Sequence, residues 1–256
     1  MAYFDRTGPT TFRATEHVGG AWTLHEQHIA PALGLLVHVI ERDRDARRGE
    51  DLVVARLSYD ILGTLPIDEV STTVTVIRPG RTIELVEARL AHDERDAVLV
   101  RAWLLHRRDT STLAGSALPR IPAARDMPPW DASSVWPGGF IATTEVRRMQ
   151  TAPGRATFWV RASQPLVAGE EASVLARAVG LFDIANGLTV RAHPDEVAFP
   201  NVDLTAHLFD QPQGEWLGFD TTVTFGADGV GLTSSVLHDH RGPVGTLAQI
   251  LTIRPA

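Results

Sequence analysis

The sequence predicts an α+β protein made of two tandem copies of one unit, each an antiparallel sheet wrapped around a long helix. Three observations predict it. A constant offset of 146 residues brings identical pairs into register over most of the chain without an insertion. Each copy opens on a helical stripe and continues through four segments rich in Val, Ile and Thr. Between the copies, Ala114 to Gly139 carries Pro119, Pro122, Pro128, Pro129 and Pro137 and reads as a linker.

The register rests on named residues. Ala32, Gly34 and Leu35 recur as Ala178, Gly180 and Leu181, and Pro66 and Glu69 recur as Pro212 and Glu215. Gly80 recurs as Gly226, His92-Asp93 as His238-Asp239, and Val98 and Ala102 as Val244 and Ala248. In the first copy, Glu26 to Glu41 places Ile29, Leu33, Leu36, Val37 and Ile40 on a helical stripe, with Pro31 in the first turn, where a missing N–H costs little. Strands are expected over 52–61, 69–77, 82–91 and 97–106, joined by turns at Arg78-Pro-Gly-Arg81 and Asp93-Glu-Arg-Asp96. The second copy predicts a helix over Glu170–Gly187 with Gly187 as its cap, then strands over 202–209, 216–225, 231–239 and 244–253. A strand or two precedes each helix, for example 156–163. The first helix is apolar on more than one side, as a helix wrapped by a sheet must be. This is the hot-dog arrangement, and two tandem copies make a double hot dog. Its parts are an N-terminal unit over 1–113, a linker over 114–139 and a C-terminal unit over 140–256.

Composition narrows the chemistry. The 256 residues are 44% hydrophobic and 21% charged, ordinary for a water-soluble globular protein. The absence of cysteine excludes disulfide and thiolate chemistry. All 24 basic residues are arginine, so no lysine Schiff base forms and no phosphate loop with its lysine exists. Net charge is −7 and the arginines are dispersed, unlike the clustered basic face that binds nucleic acid. Met1 to Arg6 lacks the basic and apolar runs of a secretory signal, and the apolar stretch from Ile29 to Ile40 is short of the roughly 20 residues that span a bilayer. A cytoplasmic protein with no membrane partner is expected. Gly-x-Ser-x-Gly is absent. His25 with His28, and His238 with His240, lack a third metal ligand, so neither a metal nor a cofactor is expected.

The repeat supplies an internal control for function. Equivalent positions share structural roles, so a polar residue facing an apolar or divergent counterpart is a candidate. Asp203 replaces Leu57, Thr224 replaces Arg78 and Gln249 replaces Trp103. Asp203 and Gln249 fall in segments that otherwise read as sheet core, where a carboxylate is costly unless paired or used.

Three segments carry a resemblance: Asn201-Val-Asp-Leu-Thr-Ala-His-Leu, Gly214-Glu-Trp-Leu-Gly-Phe-Asp and Gly242-Pro-Val-Gly-Thr-Leu-Ala-Gln-Ile. With the helix ending Leu181-Phe-Asp-Ile-Ala-Asn-Gly187, they resemble the C-terminal half of type II acyl-CoA thioesterases, and Ile77-Arg-Pro-Gly-Arg-Thr82 is similar to the matching hairpin of the first half. The resemblance spans nearly the whole chain through diffuse motifs. It implies an acyl-CoA substrate and a water oriented and activated by an Asp, a Thr or Ser, and a Gln, carried over to Asp203, Thr224 and Gln249. Asp203 takes the water proton while Thr224 and Gln249 fix its orientation. Backbone N–H groups of His28, Ile29 and Ala30 at the first helix's start polarise the thioester carbonyl. Rim arginines meet the CoA phosphates. Relatives carry a Gly pair at that helix start where this chain has Gln27-His-Ile-Ala-Pro31, which narrows the pocket.

Two alternatives stand beside hydrolysis. The altered helix start favours a protein that binds acyl-CoA or another apolar ligand without turnover. A hot-dog hydratase or dehydratase needs a His in a context that neither Asp183-Ile-Ala-Asn186 nor His17 and His28 provides. Exposed sheet faces and edges predict a homo-oligomer, a dimer or higher.

Overall fold

A computed structural model describes residues 1–20, 22–48 and 51–256. The N-terminal unit opens with β1 (Phe4–Arg6) and β2 (Thr11–Ala14), continues through helix α1 (Ile29–Arg48), and closes with β3 (Leu52–Ile61), β4 (Glu69–Arg78), β5 (Ile83–His92) and β6 (Arg95–His106). The connecting segment holds β7 (Pro129–Trp130) and leads into the short helix α2 (Gly139–Ala142). The C-terminal unit follows the same order: β8 (Thr144–Ala152), β9 (Arg155–Ala162), α3 (Val174–Val179), β10 (Val197–Ala198), β11 (Asp203–Leu208), β12 (Leu217–Phe225), β13 (Val230–Asp239), β14 (Gly242–Thr252) and β15 (Arg254–Pro255). An offset of 147, one residue from that of the sequence register, carries the strand pairs of the first unit onto those of the second, so that Val86 paired with Ala102 recurs as Thr233 paired with Gln249, which makes this a double hot dog.

Among the described residues, thirteen strands form one antiparallel sheet in the order β1-β2-β4-β5-β6-β3-β11-β14-β13-β12-β9-β8-β7. The units meet at β3 and β11, where Asp203 pairs with Asp60 and Ala206 with Leu57. The repeat relates Arg56 to Asp203 and Asp60 to His207, and Arg56 pairs with His207, so the seam maps onto itself by a pseudo-twofold. Alternation along the strands sends one face inward: Leu204 and Ala206 are buried while Asp203 and Thr205 look out. Among the described residues, no helix is long and apolar enough to cross a membrane.

The inner face closes on α1. Ala30 to Ile40 is buried without a break, so the helix has no solvent side there. The helix starts later than the sequence predicts and runs on past Glu41. Its polar end is held by Arg47 on Asp43 one turn back (2.7 Å), and by Arg47 and Arg48 on the buried Glu84 of β5 (2.8 and 3.2 Å).

The second central helix departs from expectation. Where 170–187 reads as one helix, the structure has α3, started by Ser173 capping the Ala176 N–H (2.9 Å) and stopped at Gly180. Leu181 leaves helical geometry (φ −119°, ψ −3°), and a separate 3-10 turn spans Phe182–Ile184. The two central helices cross at the repeated glycines. A Cβ on Gly34 would lie 2.7 Å from the Ala176 carbonyl oxygen and 2.9 Å from the Gly180 Cα, both rigid backbone.

Candidate active site

The break in the second helix creates the site. Asp183 sits in the 3-10 turn, 7% exposed, on the wall of a cavity of about 310 Å³. The cavity lies between the start of α1, the broken helix and the segment Phe199–Asn201. Its wall is apolar and aromatic, with Trp22, Trp136, Phe199, Ile141, Ile184 and Leu188, and Asp183, Asn201, Gln27 and His28 supply polar groups.

Two amides hold the Asp183 carboxylate. Asn201 donates its Nδ2–H to Oδ1 at 2.6 Å and Gln249 donates its Nε2–H to the same oxygen at 3.2 Å. Both bonds fall on Oδ1, leaving Oδ2 without a donor among the described residues. The Gln249 orientation follows from electrostatics: flipping the amide would point its carbonyl oxygen at a carboxylate. Burial raises the Asp183 pKa to about 7, and the amide hydrogen bonds only partly offset that rise.

His28 faces Asp183 across a 3.8 Å gap between Nδ1 and Oδ2. This is a contact between a neutral ring and a carboxyl, not an ion pair. Burial pushes the His28 pKa down to about 3, and Nδ1 accepts the Ala30 N–H (3.2 Å), which puts the ring proton on Nε2. The ring rests on Phe140 at 4.6 Å.

The three sequence candidates separate. Gln249 lies on the inner face of β14, 1% exposed, against Asp183. Asp203 lies on the outer face, where its Oδ1 accepts the Ile250 N–H at 2.6 Å, and Thr224 is exposed on the outer face of β12. They share no hydrogen bond with Gln249, so the expected convergence on one water is corrected: strand alternation turns them away from it. In their place stand Asp183 and Asn201. The chain bends at Val202 between Asn201 and β11, which lets Asn201 point inward although Asp203, two residues on, points outward. The repeat contains the missing signal, since Asp183 stands where the first unit has the buried Val37 and Asn201 stands where it has the buried Val54. Reading 170–187 as one apolar helix concealed it.

The backbone candidates at α1 also differ from one another. The His28 N–H donates to the Val18 carbonyl (2.7 Å) and the Ala30 N–H to His28 Nδ1. The Ile29 N–H has no acceptor among the described residues and stands at the positive end of α1.

Residues 18–105 match the family model described as acyl-CoA thioesterase N-terminal domain, and residues 120–253 match that of the acyl-CoA thioesterase C-terminal domain. The chain belongs to the acyl-CoA thioesterase family. It is a thioester hydrolase. Solved structures share the fold at low identity. A putative thioesterase from Novosphingobium aromaticivorans is 18% identical with a TM-score of 0.74, covering 99% of both chains. A putative thioesterase II from Thermobifida fusca is 20% identical with a TM-score of 0.71, covering 98% of this chain and 95% of that one. The acyl-CoA thioesterase II TesB2 of Mycobacterium marinum is 14% identical with a TM-score of 0.67, covering 99% and 96%. The comparison with curated proteins returned no match. In this thioesterase the C-terminal family match takes in most of the proline-rich segment as well as the buried carboxylate.

Proposed function

We propose that the protein hydrolyses acyl-CoA thioesters with Asp183 as the general base. The observation that carries this reading is a carboxylate whose pKa burial raises to about 7, anchored through Oδ1 alone and bordering the cavity. A water on Oδ2 attacks the thioester carbonyl carbon and passes its proton to Asp183. The tetrahedral oxyanion accepts a hydrogen bond from the Ile29 N–H, favoured by the α1 dipole. Collapse breaks the C–S bond, the proton moves from Asp183 to the CoA sulfur, and the free acid leaves. Asn201 and Gln249 keep the carboxylate aimed, and His28, neutral, adds no competing cation beside it.

The test is release of free CoA over short, medium, long and aromatic acyl-CoAs. Asp183→Asn is expected to lose about 10²–10⁴-fold in kcat on every substrate, the usual worth of a general base, while keeping the fold. A folded Asp183→Asn protein as fast as the parent would remove Asp183 from this role.

A further inference from the structure

The segment that reads as a linker supplies a wall of the site. Trp136, in the proline-rich stretch, is 4% exposed and donates its indole N–H to the Gly187 carbonyl at 2.7 Å, which pins it to the end of the broken helix. Gly187 has no side chain to prevent this, and a Cβ there would come within 3.3 Å of the indole nitrogen. The backbone around Trp136 is locked against the loop before α1. Gly20 and Gly138 both have positive φ (113° and 128°), and a Cβ on Gly138 would lie 2.5 Å from the Gly20 Cα. That loop carries Trp22. The rings of Trp22, Trp136 and Phe199 are mutually edge-to-face, with centroids 5.0, 5.3 and 5.7 Å apart and interplanar angles of 79°, 87° and 83°.

We infer that this aromatic triad is the acyl-binding wall and selects acyl groups bearing an aromatic ring over linear chains; the inference rests on the thioesterase reading above. Two physical arguments carry it. First, a cavity of about 310 Å³ sits at the lower end of the roughly 300–1,000 Å³ of small-molecule sites, and it must also admit the thioester. A long alkyl chain overfills it. Second, three rings held at near right angles present both edges and faces to the enclosed space. An aryl group gains edge-to-face contacts there that an alkyl group of the same size lacks. Two of the rings are held in place, since Trp136 is tied through its N–H and Phe199 is 1% exposed, and Trp22, at 43% exposure, sits at the rim. Selection therefore resides in Trp136 and Phe199, with Trp22 forming the outer edge of the wall.

The experiment compares kcat/KM for phenylacetyl-CoA, butyryl-CoA and palmitoyl-CoA in the parent, Trp22→Ala, Trp136→Leu and Phe199→Leu. The parent is expected to favour phenylacetyl-CoA over both others by about tenfold or more, within the range a hydrophobic pocket achieves. Each variant should lower the phenylacetyl preference, and Trp136→Leu should raise the relative rate on palmitoyl-CoA. A parent that prefers palmitoyl-CoA, or that treats butyryl-CoA as well as phenylacetyl-CoA, overturns the inference. So does an unchanged preference in all three variants. Trp22→Ala keeps the test intact if a buried variant misfolds, because its ring is at the rim. Calorimetric affinities of Asp183→Asn for the same three thioesters separate the two readings. Tighter phenylacetyl-CoA binding supports the inference even if the parent releases no CoA, and equal affinities count against it whether or not Asp183 is the base.

Discussion

At equivalent places the two repeats have become different materials. The first has a continuous 20-residue helix, with Val37 fully buried in it, the buried Val54 on the adjoining strand and the buried Ala102 on the strand beyond. The second has a six-residue helix, a glycine stop and a 3-10 turn, with Asp183, Asn201 and Gln249 at the same three positions. Breaking the helix removes apolar contacts and opens a cavity, and a buried carboxylate is costly to hold. The first repeat offsets this by remaining an uninterrupted core. It also lends the second repeat the start of its helix, so one site is built from both units.

Substitutions across this divide should behave unequally. The largest contrast is between two aspartates of the second repeat. Asp183→Asn should lose about 10²–10⁴-fold in turnover, whereas Asp203→Asn, on the outer face, should retain nearly the parent's rate in the same CoA-release assay. A severe defect in Asp203→Asn alone would restore the outer-face assignment. Next, Asn201→Ala and Gln249→Leu each remove one of the two donors to Oδ1. A hydrogen bond to a charged group contributes about 1.5–3 kcal/mol, so kcat should fall by about ten- to a hundredfold. Their counterparts Val54 and Ala102 are buried and apolar, and conservative changes there should be felt in melting temperature rather than kcat.

The helix crossing gives a smaller, asymmetric effect. Gly34→Ala would press a methyl onto backbone 2.7 Å away and should cost about 1–3 kcal/mol, as overpacking does, read by urea unfolding. Gly180→Ala meets nothing closer than 3.3 Å and should cost less. The last effect is pH-linked stability. Burial raises the folded-state pKa of Asp183 from 3.8 to about 7, so the folded state binds this proton more tightly than the unfolded state. Its contribution is greatest below about pH 4 and is lost as pH rises through the folded value. Asp183→Asn removes that loss. Its melting temperature relative to the parent should therefore increase between acidic and mildly alkaline pH.

The fold was largely legible because the repeat, the strand composition and the turns agree with one another. The 146-residue register located the main strands within a few residues, and Gly34 with Gly180 turned out to be a helix crossing. The second helix was not legible. Ala176 to Leu188 has the apolar content of a buried helix, and of its two glycines the apolar run points to Gly187 as the cap, whereas the helix stops at Gly180. The site suffered for the same reason. Asp183 was read as part of a helix, while Asp203 stood out in a strand whose inward face begins one residue later, at Leu204. A one-residue difference in alternation exchanges inside for outside. The role of Trp136 was hidden by its proline-rich surroundings, which look like a linker but pack as a wall.

The central claim is that a buried carboxylate held near neutrality is the base, and the pH dependence of kcat/KM tests it most directly because that ratio reports groups of the free enzyme. The account predicts a rate that rises through an apparent pKa of about 7 as Asp183 loses its proton, with the rise abolished in Asp183→Asn. A profile already flat at pH values near the ordinary aspartate range, or one whose rise persists unchanged in the variant, would contradict it.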